Sequence, residues 1–97
     1  MRVEFHVESA TELNGATGYY NALQPGLGDA LHREVLAAID RVIAHPHQSV
    51  VVERDIRRCL VRRFPYSILF RIASPRLTRI LVIRHHRRHP RLGLSRN

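Results

Sequence analysis

Residues 2 to 7 alternate apolar and polar, with Val3, Phe5 and Val7 on one face and Arg2, Glu4 and His6 on the other. That period of two predicts a half-buried strand. Ser9-Ala10-Thr11-Glu12 then has the form of a capping box, in which a serine caps a helix and the glutamate three residues later reaches back. The helix it would open carries Leu13, Ala16, Tyr20 and Leu23 near one stripe, with Thr17 as the polar member of that stripe. Gly15 and Gly18 each weaken a helix by about 1 kcal/mol, so packing rather than propensity has to hold it.

Gln24-Pro25-Gly26-Leu27-Gly28 is a turn, since a proline and two glycines in five residues cannot continue a helix. Asp29 is the expected cap of a second helix to about Ala44, burying Leu31, Val35, Ala38, Ile39, Val42 and Ile43. So short a turn makes the two helices antiparallel neighbours. His45-Pro46-His47 ends the second, because a residue before proline is pushed out of the helical region. Gln48 to Asp55 is ambiguous, strand-like at Val50-Val51-Val52 and loop-like at Glu53-Arg54-Asp55.

From there the pattern predicts a meander of three strands, at about Ile56 to Arg63, Tyr66 to Ile72 and Thr78 to His85. In the last of these Ile80, Leu81, Val82 and Ile83 are apolar on both faces, the mark of a central strand covered on both sides. The expected class is α+β: an N-terminal strand, then an antiparallel helical hairpin packed on one face of a small antiparallel sheet, leaving the other face available. Residues 87–97 read as a short, polar, mobile basic tail.

Composition adds charge to this picture. At 97 residues the chain is a single domain, 1–97, and its net charge of +8 calls for a negatively charged partner. All sixteen basic side chains are arginine, so any contact with phosphate runs through planar, permanently charged guanidinium groups. Arginines at strand ends also serve simply to keep edges wet and unaggregated. The lone Cys59 cannot form an internal disulfide and sits in a strand pattern where an inert thiol is expected, which suits a reducing, cytoplasmic setting. With no apolar run near the roughly 20 residues needed to cross a bilayer and no signal-peptide pattern, no membrane partner is expected.

Two function classes are disfavoured on chemistry. His85, His86 and His89, with His45 and His47, are of a type that binds metals, but Arg84, Arg87, Arg88 and Arg91 would repel a dication and no carboxylate or cysteine adjoins the cluster. No metal or other cofactor is therefore expected. A groove-reading DNA-binding helix is also poorly supported, because the second helix offers only His32, Arg33 and Arg41.

Several segments, taken in order, resemble the RelE/ParE superfamily of bacterial toxins, which includes plasmid-stabilisation proteins. They are Tyr19-Tyr20, Pro25-Gly26-Leu27-Gly28, Ala38-Ile39 leading to His45-Pro46, Arg57-Arg58, Arg63-Phe64-Pro65-Tyr66, and Ile83-Arg84-His85 through Arg88-His89-Pro90. The resemblance implies a small basic toxin of a type II toxin–antitoxin module, silenced by a cognate antitoxin with which it forms a hetero-oligomer. It leaves two targets open. ParE-like members poison DNA gyrase; RelE-like members are metal-independent endoribonucleases that cleave messenger RNA on the ribosome.

In the RelE-like case the resemblance makes His85 the acid or base and Glu53 a candidate base, with arginines stabilising the phosphoryl group. In either case Arg57, Arg58, Arg63, Arg84, Arg87 and Arg88 are the expected target-binding residues. RelE-like nucleases typically carry a tyrosine or other functional group near the C-terminus and lysines or a placed glutamate on the sheet. This chain has no lysine and no tyrosine after Tyr66. Phe64-Pro65-Tyr66 and Arg57-Arg58-Cys59 are closer to the ParE-like branch, which makes a non-enzymatic toxin the expected reading. A toxin that has lost its activity, or a plain nucleic-acid-binding module, is the further alternative.

Overall fold

The computed structural model describes residues 2–97. The elements run β1 (Arg2–Phe5), α1 (Val7–Leu23), α2 (Leu27–Ala44), a 3-10 turn (Pro46–Gln48), β2 (Val50–Glu53), β3 (Ile56–Leu60), β4 (Tyr66–Ser74) and β5 (Leu77–His85). The strands form one sheet in the order β1-β5-β4-β3-β2. All neighbours are antiparallel except β1 and β5, which run parallel. The sheet is therefore mixed, and it has a fifth strand in the ambiguous segment at Val50–Glu53.

The helical hairpin packs on one face. Leu13 from α1 and Leu31, Val35, Ala38, Ile39 and Val42 from α2 meet Ile68, Phe70, Ile80 and Ile83 from the sheet. The α1 stripe stops short of its predicted end: Tyr20 packs on this core while Leu23, in the last turn, is 63% exposed. Gly28 sets how closely the helices approach, because a Cβ there would fall 1.9 Å from the Thr17 carbonyl oxygen.

Four expectations, at the ends of elements and in the tail, give way to the structure. The strand does not reach Val7, because His6 caps α1: its Nδ1 accepts from the Glu8 backbone N–H at 3.1 Å. Ser9 and Glu12 are thus inside the helix, where a separation of three residues places them on one face. That face looks at the edge of β5. The cap of α2 is not Asp29 but Gly26 at φ 88°, and Asn21 of α1 does the capping chemistry, its Oδ1 accepting from the Gly28 and Asp29 N–H groups at 2.7 and 3.2 Å. The strand expected to run to Arg63 ends at Leu60, where the chain turns through Arg63 at φ 71°.

The tail expectation is overturned most fully. Residues past Pro90 fold over the second sheet face, where Leu94 packs on Ile56, Leu69, Leu81 and Val82. Gly93, at φ 83°, lies so near that a Cβ would fall 1.9 Å from Val82 Cγ2. Arg96 then fastens the segment. It pairs with both oxygens of Glu12 at 3.0 Å and with Glu8 at 3.0 Å, and donates to the Leu81 carbonyl at 2.9 Å.

The Arg96 side chain is only 12% exposed, so removing it leaves the partly buried Glu12 carboxylate with the Ile83 N–H but without its counter-ion, and takes the side-chain donor from the Leu81 carbonyl. Arg96→Ala is expected to cost about 2–3 kcal/mol, read as a lower urea midpoint. A midpoint unchanged from the parent would show that the C-terminal segment is not held by this contact.

Candidate polyanion-binding surface

Strand alternation divides the predicted arginines between two faces. Arg57 and Cys59 of β3 point to the helical side, where Arg57 donates to the carbonyls of His47 and Ser49 at 3.2 and 2.9 Å and Cys59 contacts the Ala38 carbonyl. Ile56, Arg58 and Leu60 point to the opposite side. There the ladder register lines up Arg58, Leu69 and Val82 in one row and Leu60, Ser67 and Arg84 in the next.

Three adjoining clefts meet at this corner of the sheet, and all three touch Arg84. The first, about 260 Å³, lies beside α1 and is lined by residues including Glu12, Tyr66, His85 and Arg88. The second, about 350 Å³, is lined by Arg58, Leu60, Ser67, Arg84, His86, Arg88 and Pro90. The third, about 250 Å³, includes Glu53, Arg58 and Arg91.

Arg84 is the fixed member of the corner. Its guanidinium donates to the carbonyls of Pro90 and Leu92 at 2.7 and 3.3 Å, which immobilises it under the C-terminal segment. Burial, then the nearby positive charge of Arg58, pulls its pKa below the usual arginine value. Behind it Ser67, 3% exposed, places its hydroxyl 3.0 Å from His86 Nε2. The sequence pattern gives no sign of Ser67 and presents His86 only within a histidine cluster. Ser67 carries no motif, and only the pairing Ser67↔Arg84 brings it beside the arginine.

The remaining predicted residues are dispersed. Arg63 sits in the turn before β4, 3.8 Å from Glu34 and over the Phe64 ring. Arg87 lies in the turn after β5, where its backbone N–H donates to His85 Nδ1. His85 points to the helical face, its ring edge-on to Tyr66 with centroids 5.2 Å apart. Glu53 is held in an ion pair with Arg91 at 3.1 Å. The candidate acid and the candidate base thus line different clefts. Among the described residues no group of histidine, cysteine and carboxylate side chains is arranged to hold a metal ion, and no helix is long and apolar enough to cross a membrane.

Comparison with known proteins agrees with this architecture. A family model described as "ParE toxin of type II toxin-antitoxin system, parDE" matches residues 3–90. A solved chain from the chromosomal ParDE toxin–antitoxin system of P. aeruginosa superposes with a TM-score of 0.75 at 18% identity, over 88% of this chain and 95% of that one. At that identity the likeness concerns the fold. No curated protein sequence matches significantly.

Tyr66, at the floor of the first cleft, links this corner to pH. Burial raises its phenol above the ordinary 10.0, with Tyr20 and Tyr19 adding to the effect and Arg88 opposing it. The folded protein therefore keeps this proton to higher pH than the unfolded chain does. Its contribution to stability is whole below pH 10 and declines as pH rises through the raised value. Urea midpoints at pH 9 and pH 11 should fall less for Tyr66→Phe than for the parent. An identical fall in both would remove Tyr66 as the source.

Proposed function

The chain belongs to the ParE toxin family of type II toxin–antitoxin systems, and from that membership we propose that it arrests growth by poisoning DNA gyrase. Being the toxin of such a module, it has a cognate antitoxin as its partner. The target is the finer question, and one observation favours gyrase over ribosome-bound message. Metal-free cleavage of RNA requires an acid and a base on either side of one phosphate. Here His85 faces the helical side against Tyr66, while Glu53 is tied to Arg91 in another cleft.

What the surface does offer is positive charge on a rigid frame. Arg58, Arg84 and Arg88 line one cleft with no carboxylate among its walls. That suits holding a polyanionic assembly such as a gyrase–DNA complex. It also suits an acidic antitoxin segment whose affinity falls as salt rises.

Induction in growing cells separates the two targets. Chromosomal breaks and a damage response, with transcripts intact, are the expected outcome, together with inhibition of gyrase supercoiling by the purified protein. Rapid cleavage of messages on ribosomes with an unbroken chromosome would overturn the gyrase reading. Binding to the product of the adjacent gene should weaken on raising salt from 50 to 500 mM, measured by titration calorimetry; salt-independent binding would remove charge as its basis.

A further inference from the structure

We infer that the cleft between β3, β4 and the turn after β5 is a built phosphate-binding site, made by Arg58, Ser67, Arg84, His86 and Arg88, rather than a stretch of generally basic surface. The inference goes beyond the gyrase reading and does not depend on it.

Three observations carry it. First, acidic side chains are spent elsewhere. Glu4 pairs with Arg2 and Arg79, Glu8 and Glu12 with Arg96, Glu34 with Arg63, Glu53 with Arg91 and Asp55 with Arg71. Of the three clefts that share Arg84, the first contains Glu12 and the third Glu53; the second contains no carboxylate. Three guanidiniums therefore share one concavity whose own walls hold no carboxylate, Glu12 and Glu53 lying in the clefts to either side.

Second, the cleft is prepared for an oxyanion rather than merely charged. Arg84 is oriented by two backbone carbonyls accepting from the same Nη1, which leaves its other N–H groups for a ligand. A guanidinium already held in place loses little freedom on binding, and its planar fork matches two phosphate oxygens. Ser67 and His86 add a hydroxyl and an imidazole beside it, the serine nearly buried and the two in mutual contact at 3.0 Å, which leaves the pair one polar hydrogen to offer a ligand.

Third, the dimensions fit. At about 350 Å³ the cleft is large enough for a phosphate with an attached sugar and base. Leu60, 57% exposed, and Pro90 form apolar walls against which such a group can lie. The shared ligand chemistry is a phosphoryl group carried either by a free nucleotide or by a nucleic-acid backbone.

The test uses the 97-residue chain and follows arginine side-chain N–H signals by NMR. Inorganic phosphate, adenosine monophosphate, a short single-stranded oligothymidylate and acetate are titrated in turn. Saturable shifts confined to Arg58, Arg84 and Arg88, with phosphate at least ten-fold tighter than acetate, are expected. Arg88→Gln should weaken phosphate binding about ten-fold, whereas Arg33→Gln and Arg76→Gln, exposed and outside the cleft, should leave it unchanged. Ser67→Ala keeps the charge and removes one donor; a loss of about three-fold or more supports a built site. An oligonucleotide much tighter than the mononucleotide assigns the phosphoryl source to a nucleic-acid backbone, and near-equal affinities assign it to a free nucleotide. Equal losses in all arginine variants, no effect of Ser67→Ala, or acetate binding as well as phosphate would each overturn the inference, the last by pointing to an acidic protein segment instead.

Discussion

An open strand edge shapes this molecule more than any single core residue does. β5 is nine residues long, and its parallel neighbour β1 pairs with it only from Leu77 to Ile80. Beyond Ile80 the outer edge of the most buried strand has no strand beside it, and unpaired backbone groups at such depth are costly. Side chains complete the ladder instead. The Ile80 carbonyl is the last to take a backbone donor, the His6 N–H at 2.8 Å, with Ser9 Oγ beside it at 3.3 Å; beyond it Arg96 donates to the Leu81 carbonyl at 2.9 Å, and Glu12 accepts from the Ile83 N–H at 3.1 Å. The Glu12–Arg96 pair is thus both a counter-ion pair and part of the sheet.

That solution decides what lies on the second face. Because Arg96 must reach Glu12, the last residues are drawn over Leu81 and Val82, which a bulge opposite Leu69 and Phe70 turns to the same side. The segment covers only part of the face. Where it passes Arg84, its own carbonyls take two donors of that arginine, and the uncovered remainder becomes the cleft lined by Arg58, Ser67 and Arg88. Closing an edge and building a cationic concavity are consequences of the same placement.

The order of elements was legible in the sequence because it rests on periodicity: the α2 stripe from Leu31 to Val42 and the doubly apolar run Ile80–Ile83 admit few alternatives. The helix starts were not. Ser9 and Glu12 have the spacing of a capping box, and that spacing also suits two residues on one helix face directed at a strand 71 positions away. Local pattern cannot distinguish the two uses. The tail misled for a related reason: Arg96 looks like a solvated end charge until its partners Glu8 and Glu12 are brought from the other terminus. At the candidate site, arginine is the residue type that both the sequence pattern and the cleft lining bring forward. Sorting Arg57 from Arg58, or bringing in Ser67, required the register of β3, β4 and β5.

Arg63 stands apart from these contacts and is not explained by them. At φ 71° it occupies the left-handed region, where a side chain costs roughly 1 kcal/mol that glycine would avoid. Its returns are a 3.8 Å approach to Glu34 and a guanidinium 5.7 Å from the Phe64 ring centre. With 63% of its side chain in solvent, such contacts are together worth no more than about 1 kcal/mol, so at best they offset the backbone strain. Stability gives no reason to prefer arginine over glycine here. What the arginine adds is an exposed cation on the turn leading into β4, with its guanidinium over the Phe64 ring.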